Sequence, residues 1–309
     1  MTDVAGAGNG RRIAVIGLGS MGLGMAVSLA RAGFAVGGCD RAPAALAAAR
    51  QAGIAVANDP AEAAHDADAV VGVVVNAAQT EAVLFGPGGA VPAMRAGGIV
   101  ISCATMAPAD ARRFAAAAAA QDALYLDAPM SGGSVRATEG ALTFLVSGPA
   151  ATYEAARPIL DAMGQTVYHL GEDIGTGAAF KMVNQLLAGV HIAAACEALA
   201  FAKKLGLDLA RVYQVISSAA GSSWMFENRG PHVIDGDYTP RSAVEIFVKD
   251  LGIVEDIARS ERFPTPLAGA ALQLFLMTAA AGMGPDDDAS VARLYAKIAG
   301  ITLPGPAAP

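Results

Sequence analysis

Arg11-Arg-Ile-Ala-Val-Ile-Gly17-Leu18-Gly19-Ser20-Met21-Gly22-Leu-Gly-Met-Ala-Val-Ser-Leu-Ala-Arg31 is the stretch that decides the fold. Arg12–Ile16 reads as a short apolar strand. Three glycines follow at positions 17, 19 and 22, and a helical pattern then runs to Ala32, where Gly33 is a natural stop. Gly17 permits a tight turn, Gly19 lets backbone approach a pyrophosphate, and Gly22 allows close packing of helix on strand. The helix N-terminus then presents N–H groups and a favourable dipole to phosphate. With 36 glycines in the chain the spacing alone is weak evidence. Its placement between a strand and a helix gives it weight, and so does Asp40, which ends a second strand over Phe34–Cys39. A carboxylate at that distance past the glycines bonds ribose hydroxyls. Asp40 also favours NAD over NADP, because a 2′-phosphate would meet a like charge. The adjacent Arg41 complicates this: it can partly accommodate a phosphate, stack on adenine or lie in solvent.

Outward from this unit the alternation continues. Pro43–Gln51 reads as a helix with Pro at its start, and Asn58-Asp-Pro-Ala-Glu62 opens another. Ala69–Val75 and Gly98–Cys103 are continuous apolar runs of strand length, as in a buried parallel sheet. Helix over Pro108–Gln121, strands over Leu124–Asp127 and Leu142–Ser147, and a helix over Ala150–Ala162 follow. Strand–helix alternation implies an α/β doubly wound parallel sheet of the Rossmann type. From about Gly175 the pattern turns helical, with a long helix from about Thr176 to Leu205 and no convincing strand thereafter. The expected domains are a Rossmann domain over 11–172 and an all-α domain over 173–301, joined by that helix. Residues 1–10 and 302–309 are Gly/Ala/Pro-rich and read as disordered tails.

Composition bounds the function. A chain of 309 residues favours two domains. A net charge of −7, with no Lys/Arg cluster, argues against nucleic acid. Cys39, Cys103 and Cys196 lie far apart and the four histidines are scattered, so neither a disulfide framework nor a metal site is expected. A reducing cytoplasm fits. The first ten residues lack the basic and apolar runs of a signal peptide. The most apolar long stretch, Gln185–Ala202, is interrupted by His191, Cys196 and Glu197. It reads as a buried helix rather than a membrane span. Excess apolar surface in the helical part points to a homo-oligomer, a dimer or tetramer.

Two further segments carry candidate chemistry. Asp127-Ala-Pro-Met-Ser131-Gly132-Gly133 leaves a strand and enters a Ser/Gly loop whose backbone N–H groups can hold an anion, with the Ser131 hydroxyl as a further donor; a plain turn would look the same. In Gly175-Thr-Gly-Ala-Ala-Phe-Lys181-Met-Val-Asn184-Gln185, three polar residues at i, i+3 and i+4 share one helix face among apolar neighbours. A partly buried Lys181 near a positive helix end suits acid/base work. A lysine that snorkels to solvent is the alternative.

These motifs, in this order, resemble the β-hydroxyacid dehydrogenase family, which includes 3-hydroxyisobutyrate dehydrogenase, tartronate semialdehyde reductase and the threonate dehydrogenases. GLGSMG, DAPMSGG, GTGAAFKMVNQ and KDLGIVEDIA carry the resemblance, which extends from Arg12 to about Ile298. It implies that Gly17, Leu18, Gly19, Ser20, Met21 and Gly22 form the pyrophosphate loop and Asp40 the ribose contact, with Arg41 beside it. Val74, Val75, Thr105 and Lys249 match cofactor-lining positions. Ser131, Gly132 and Gly133 match the substrate-carboxylate loop, Lys181 the catalytic lysine, and Asp250 a polar partner in the second domain. Many members carry Asn at Gln185, an aromatic near Ser242 and Gly at Arg136. All three departures fall where substrate is read.

The implied reaction is hydride transfer from a small hydroxy acid to NAD, with Lys181 taking the hydroxyl proton and Asn184 or Gln185 orienting the substrate. The segment Ser217–Lys249 looks most like the threonate-dehydrogenase branch. Its small polar residues Ser217, Ser218, Ser222, Ser223, Asn228 and Ser242 suit a four-carbon sugar acid oxidised to its 2-oxo acid. The alternative is that these serines merely cap helices and turns. The alternatives are oxidation of 3-hydroxyisobutyrate or reduction of tartronate semialdehyde. More distant readings are an imine reductase, against which Lys181 argues, and a non-catalytic cofactor-binding protein.

Overall fold

The computed structural model describes residues 10–305. The disorder expected at 1–9 and 306–309 lies outside these residues. At 302–305 the expectation is corrected: Leu303 packs on the helical core, and Gly305 lies so close to Gly236 that a side chain there would strike it. The chain forms two compact units, Met1–Lys181 and Met182–Pro309.

In the first unit, β1 (Arg12–Ile16), α1 (Gly22–Arg31), β2 (Ala35–Cys39), α2 (Pro43–Gln51), β3 (Ala55–Val56), α3 (Pro60–Ala64), β4 (Ala69–Gly72), α4 (Ala77–Phe85), β5 (Ile99–Ser102), α5 (Pro108–Ala119) and β6 (Leu124–Asp127) build a six-stranded sheet. Its order is β3-β2-β1-β4-β5-β6 and every pairing is parallel. The strand sequences explain why both faces are covered. Ile13, Val15, Val71 and Ile101 enter one core, whereas Ala14, Ile16, Val70 and Val100 enter another. Alternate residues point to opposite faces, so a strand apolar at every position must be sandwiched.

The chain then leaves that sheet. β7 (Met130–Ser131), α6 (Gly133–Glu139), β8 (Leu142–Val146), α7 (Ala150–Met163) and β9 (Gly164–His169) form a separate three-stranded sheet, β7-β8-β9, in which β7 runs antiparallel to β8. The alternation rule counted β8 into the main sheet. The short β7, only two residues long, gives no periodic signal and turns the chain back. Close packing of α6 on α1 fixes this region: a Cβ on Gly24 would lie 2.7 Å from the Thr138 nitrogen, and Ser28 Oγ donates to the Ala137 carbonyl at 2.9 Å.

α8 (Thr176–Lys204) begins in the first unit and continues into the second. The 18-residue apolar stretch within it is 56% buried, through residues such as Ile192, Cys196 and Leu199. In the second unit α9 (Leu209–Ser217), α10 (Trp224–Asp235), α11 (Val244–Ser260), α12 (Pro266–Thr278) and α13 (Val291–Ala299) surround one core that includes Phe226, Phe247, Leu251 and Phe275. A buried ionic cluster, invisible to periodicity, ties α10 to the turn before α13. Arg229 donates to both oxygens of Asp288, at 2.6 and 2.9 Å, and His232 pairs with Asp287 at 2.8 Å.

Candidate active site

Strand order reverses between β1 and β4, and such a reversal opens a crevice at the carboxyl ends of the strands. The cofactor residues expected in the first unit stand on that edge. Gly17 leaves β1 with φ of 95°, and a Cβ there would collide with the Val73 carbonyl. A Cβ on Gly22 would collide with the Gly17 carbonyl. Gly19 is different: a Cβ there meets nothing within 4 Å. No protein atom demands glycine at this position, whereas a phosphate drawn against the loop would. No side chain caps the N-terminus of α1 behind it. This open cradle, followed by the exposed Ser20 and half-buried Met21, fits a pyrophosphate.

Asp40 has a second task besides the expected ribose contact. Its carboxylate accepts the Leu18 N–H at 2.6 Å and the Ala42 N–H at 2.8 Å, so it fastens the glycine loop to the end of β2. Leu18 itself is buried against Gly38, while Arg41 is exposed. Val74 approaches Gly17 from the end of β4, and the Val75 N–H is held by the Gln79 side chain at 3.0 Å. Thr105 lies just beyond β5, half-buried.

Lys181 and the Ser/Gly loop, far apart in sequence, meet. Lys181 is 7% exposed, and its Nζ donates to the Met130 carbonyl at 2.8 Å. The next three residues are Ser131, Gly132 and Gly133. Both glycines have positive φ, 140° and 81°, which aims successive backbone groups in a way most side chains would resist. The stem of Arg136, one turn into α6, lies against Gly132.

The start of α8 is gripped by residues that the sequence reading passed over. Asp127, 1% exposed at the end of β6, accepts the Ala178 N–H at 2.8 Å and the Ser147 hydroxyl at 3.2 Å. Ser147 Oγ in turn accepts the Gly177 N–H at 3.0 Å. Burial pushes the Asp127 carboxyl up to about 6, against the opposing pull of the Ala178, Ser147 and Gly175 donors. Gly177 is required, since a Cβ would strike the Leu145 carbonyl. A polar residue closing an apolar strand was the available signal for Asp127.

In the second unit four expected residues form one chain of bonds. Asn184 donates to Gln185 Oε1 at 2.8 Å, Gln185 Nε2 donates to Asp250 at 2.5 Å, and Lys249 pairs with the other Asp250 oxygen at 2.5 Å. Asp250 is 1% exposed and Gln185 is 7% exposed. Both polar ends of Gln185 are therefore engaged within the protein, while Asn184 is half-buried and engages Gln185 through its amide nitrogen. Ser242 is outside this chain. It precedes α11, and its carbonyl accepts the Asp288 N–H at 2.8 Å. Most of the other small polar residues have local structural tasks: Ser223 caps α10 through the Phe226 N–H, Ser222 binds Glu227, Ser218 binds the Val215 carbonyl, and Asn228 binds Arg229. Ser223 thus caps a helix, and Ser218, Ser222 and Asn228 are bonded to nearby protein groups. Phe226 is core and Trp224 is half exposed.

Residues 12–171 match the NAD-binding domain of 6-phosphogluconate dehydrogenase, and residues 175–295 match the NAD-binding domain of NADP-dependent 3-hydroxyisobutyrate dehydrogenase. The chain belongs to the β-hydroxyacid dehydrogenase family, of the 3-hydroxyisobutyrate dehydrogenase type. An L-threonate dehydrogenase from Cupriavidus necator is 51% identical over 96% of this chain and 99% of its own length. One from Escherichia coli strain K12 is 47% identical, covering 95% and 96%. A solved Salmonella typhimurium protein described as 3-hydroxyisobutyrate dehydrogenase superposes with a TM-score of 0.88 at 47% identity, over 92% of this chain and 99% of that one. This β-hydroxyacid dehydrogenase is thus an NAD-dependent oxidoreductase acting on a hydroxy acid.

Proposed function

We propose that the chain oxidises L-threonate, or another four-carbon sugar acid, to its 2-oxo acid, with Lys181 as general acid/base. The observation that carries the mechanism is the Lys181–Met130 bond, which holds the ammonium beside the loop that starts at Ser131. NAD, held by Gly17–Gly22 and Asp40, would supply the acceptor for the hydride that leaves C2. Ser131, Gly132 and Gly133 take the substrate carboxylate. Neutral Lys181 accepts the hydroxyl proton as the carbonyl forms, and in reduction its ammonium returns that proton. Asn184, one turn beyond Lys181 on α8, orients the substrate, because Gln185 is engaged with Asp250. Val74, Val75, Thr105 and Lys249 contact the cofactor, and Asp40 favours NAD over NADP by repelling a 2′-phosphate. Ser242 is proposed as a substrate neighbour through the family resemblance.

The choice of substrate rests on the relatives named L-threonate dehydrogenase at 47–51% identity. The solved Salmonella protein favours 3-hydroxyisobutyrate as the second reading. Comparing kcat/KM for threonate, erythronate, glycerate and 3-hydroxyisobutyrate with NAD decides between them. Preference for threonate supports the first reading, and preference for 3-hydroxyisobutyrate replaces it with the second.

A cytoplasmic homo-oligomer is part of the proposal. Three buried free thiols among the described residues suit a reducing compartment. α12 leaves Leu267, Leu276 and Met277 exposed, apolar surface of the kind that a second copy would cover. Light scattering on the purified protein should give a dimer or tetramer mass; a monomer would reject that part.

A further inference from the structure

We propose that Asp127 is a positioning residue for Lys181: from the end of β6 it holds the first turn of α8, and so sets where the lysine arm meets the Met130 carbonyl. The inference rests on the reading of Lys181 as the proton carrier and adds a residue that this reading does not use.

The geometry is a two-point grip. One segment of chain, 127–130, holds α8 twice. Asp127 takes the Ala178 N–H through its carboxylate, and Met130 takes Lys181 Nζ through its carbonyl. Three residues separate the two points on each partner. Three residues of extended chain span about 10 Å, and three of helix about 4.5 Å, so the lysine stem supplies the remaining reach. If the first grip slackens, the helix can rotate or slide, and the second is then made from a different place or lost.

Ser147 completes the first grip. Its hydroxyl donates to Asp127 and accepts from Gly177, so two successive N–H groups of the helix end on one carboxylate–hydroxyl pair. Asp127 and Ser147 are themselves locked by two backbone bonds, at 3.0 and 2.8 Å. Gly177 allows the helix to come this close. Hydrogen bonds to a charged acceptor are shorter and about twice as strong as neutral ones. An ionised Asp127 therefore holds the turn more firmly than an amide could.

A structural cap would look the same in coordinates, so the test must report on Lys181. Asp127→Asn and Ser147→Ala are each made alone and in a Lys181→Ala background, and kcat and NAD affinity are measured on the full-length enzyme with the best hydroxy acid of the panel above. Misplacing a reacting group by about 1 Å can cost about a hundredfold. Asp127→Asn should lower kcat by about ten- to a hundredfold with NAD affinity little changed, and Ser147→Ala should lower it less. Neither should lower the residual rate of Lys181→Ala, because their effect passes through the lysine. Asp127→Asn with wild-type kcat, or with the same proportional loss in the Lys181→Ala background, would overturn the inference. Should Asp127→Asn fail to fold, the Ser147→Ala cycle decides by the same criterion. If Lys181→Ala alone keeps wild-type kcat, the reading of Lys181 fails first. If it is crippled while Asp127→Asn is normal, only the present inference fails.

Discussion

The glycine loop and the lysine site do related work but are built in opposite ways. The loop is local. Its strand, turn, helix and acidic partner all fall between Arg12 and Asp40, and Asp40 closes the unit by binding Leu18 and Ala42. The lysine site is assembled from distant pieces. Lys181 meets Met130 across 51 residues, Asp127 meets Ala178 across the same separation, and Ser147 joins from a third segment. A local device depends on backbone conformation and tolerates little at its glycines. An assembled device depends on how firmly its pieces are held, so it can be weakened without being destroyed.

That contrast is open to attack, starting at the lysine. Lys181→Ala should lower kcat by about 10²–10⁴-fold, the usual worth of general acid–base catalysis, while NAD binds as before. Isothermal titration with NAD beside steady-state rates would separate the two regions; loss of NAD binding would mean they are not separable. Asp40→Ala should weaken NAD by about tenfold and shrink its advantage over NADP. Asp40→Asn sharpens the test, since it retains an acceptor for the Leu18 N–H but removes the charge. If NADP binding stays poor in Asp40→Asn, the repulsion argument is wrong.

The smallest effect is on stability. A carboxyl whose pKa rises on folding adds stability below its unfolded value, near 4, and that stability is lost as pH climbs through the folded value of about 6. Wild-type Tm should therefore fall by a few degrees between pH 4 and pH 8 through this carboxyl, and Asp127→Asn, which cannot ionise, should show a shallower fall. An equal fall in both proteins would show that Asp127 does not contribute to the pH dependence.

What the sequence made legible follows the same division. Strands apolar at every position, Gly17–Gly22 and Asp40 could be read because each signal lies within one or two elements. The separate sheet β7-β8-β9 could not, because β7 is two residues long and its reversal depends on pairing with β8. Lys181 was visible as a polar residue on an apolar helix face, but its partner is a backbone carbonyl, which no residue type announces. The Arg229–Asp288 and His232–Asp287 pairs were hidden for a related reason: their members are 59 and 55 residues apart. The serines of 218–223 show the converse: polar side chains read as substrate contacts bond nearby protein groups, with Ser223 capping α10, whereas buried Ser217 Oγ makes no such bond among the described residues.

Whether Lys181 carries a proton or merely a charge is settled most directly by Lys181→Arg. Arginine keeps the positive charge and can still donate to the Met130 carbonyl, but it cannot be deprotonated in a protein. The rate of hydroxy-acid oxidation at saturating substrate and NAD is the quantity to measure. With Lys181 as the general base, kcat of Lys181→Arg falls about as far as that of Lys181→Ala. Near-wild-type kcat in Lys181→Arg would contradict a proton-transfer role and leave the lysine as an electrostatic anchor alone.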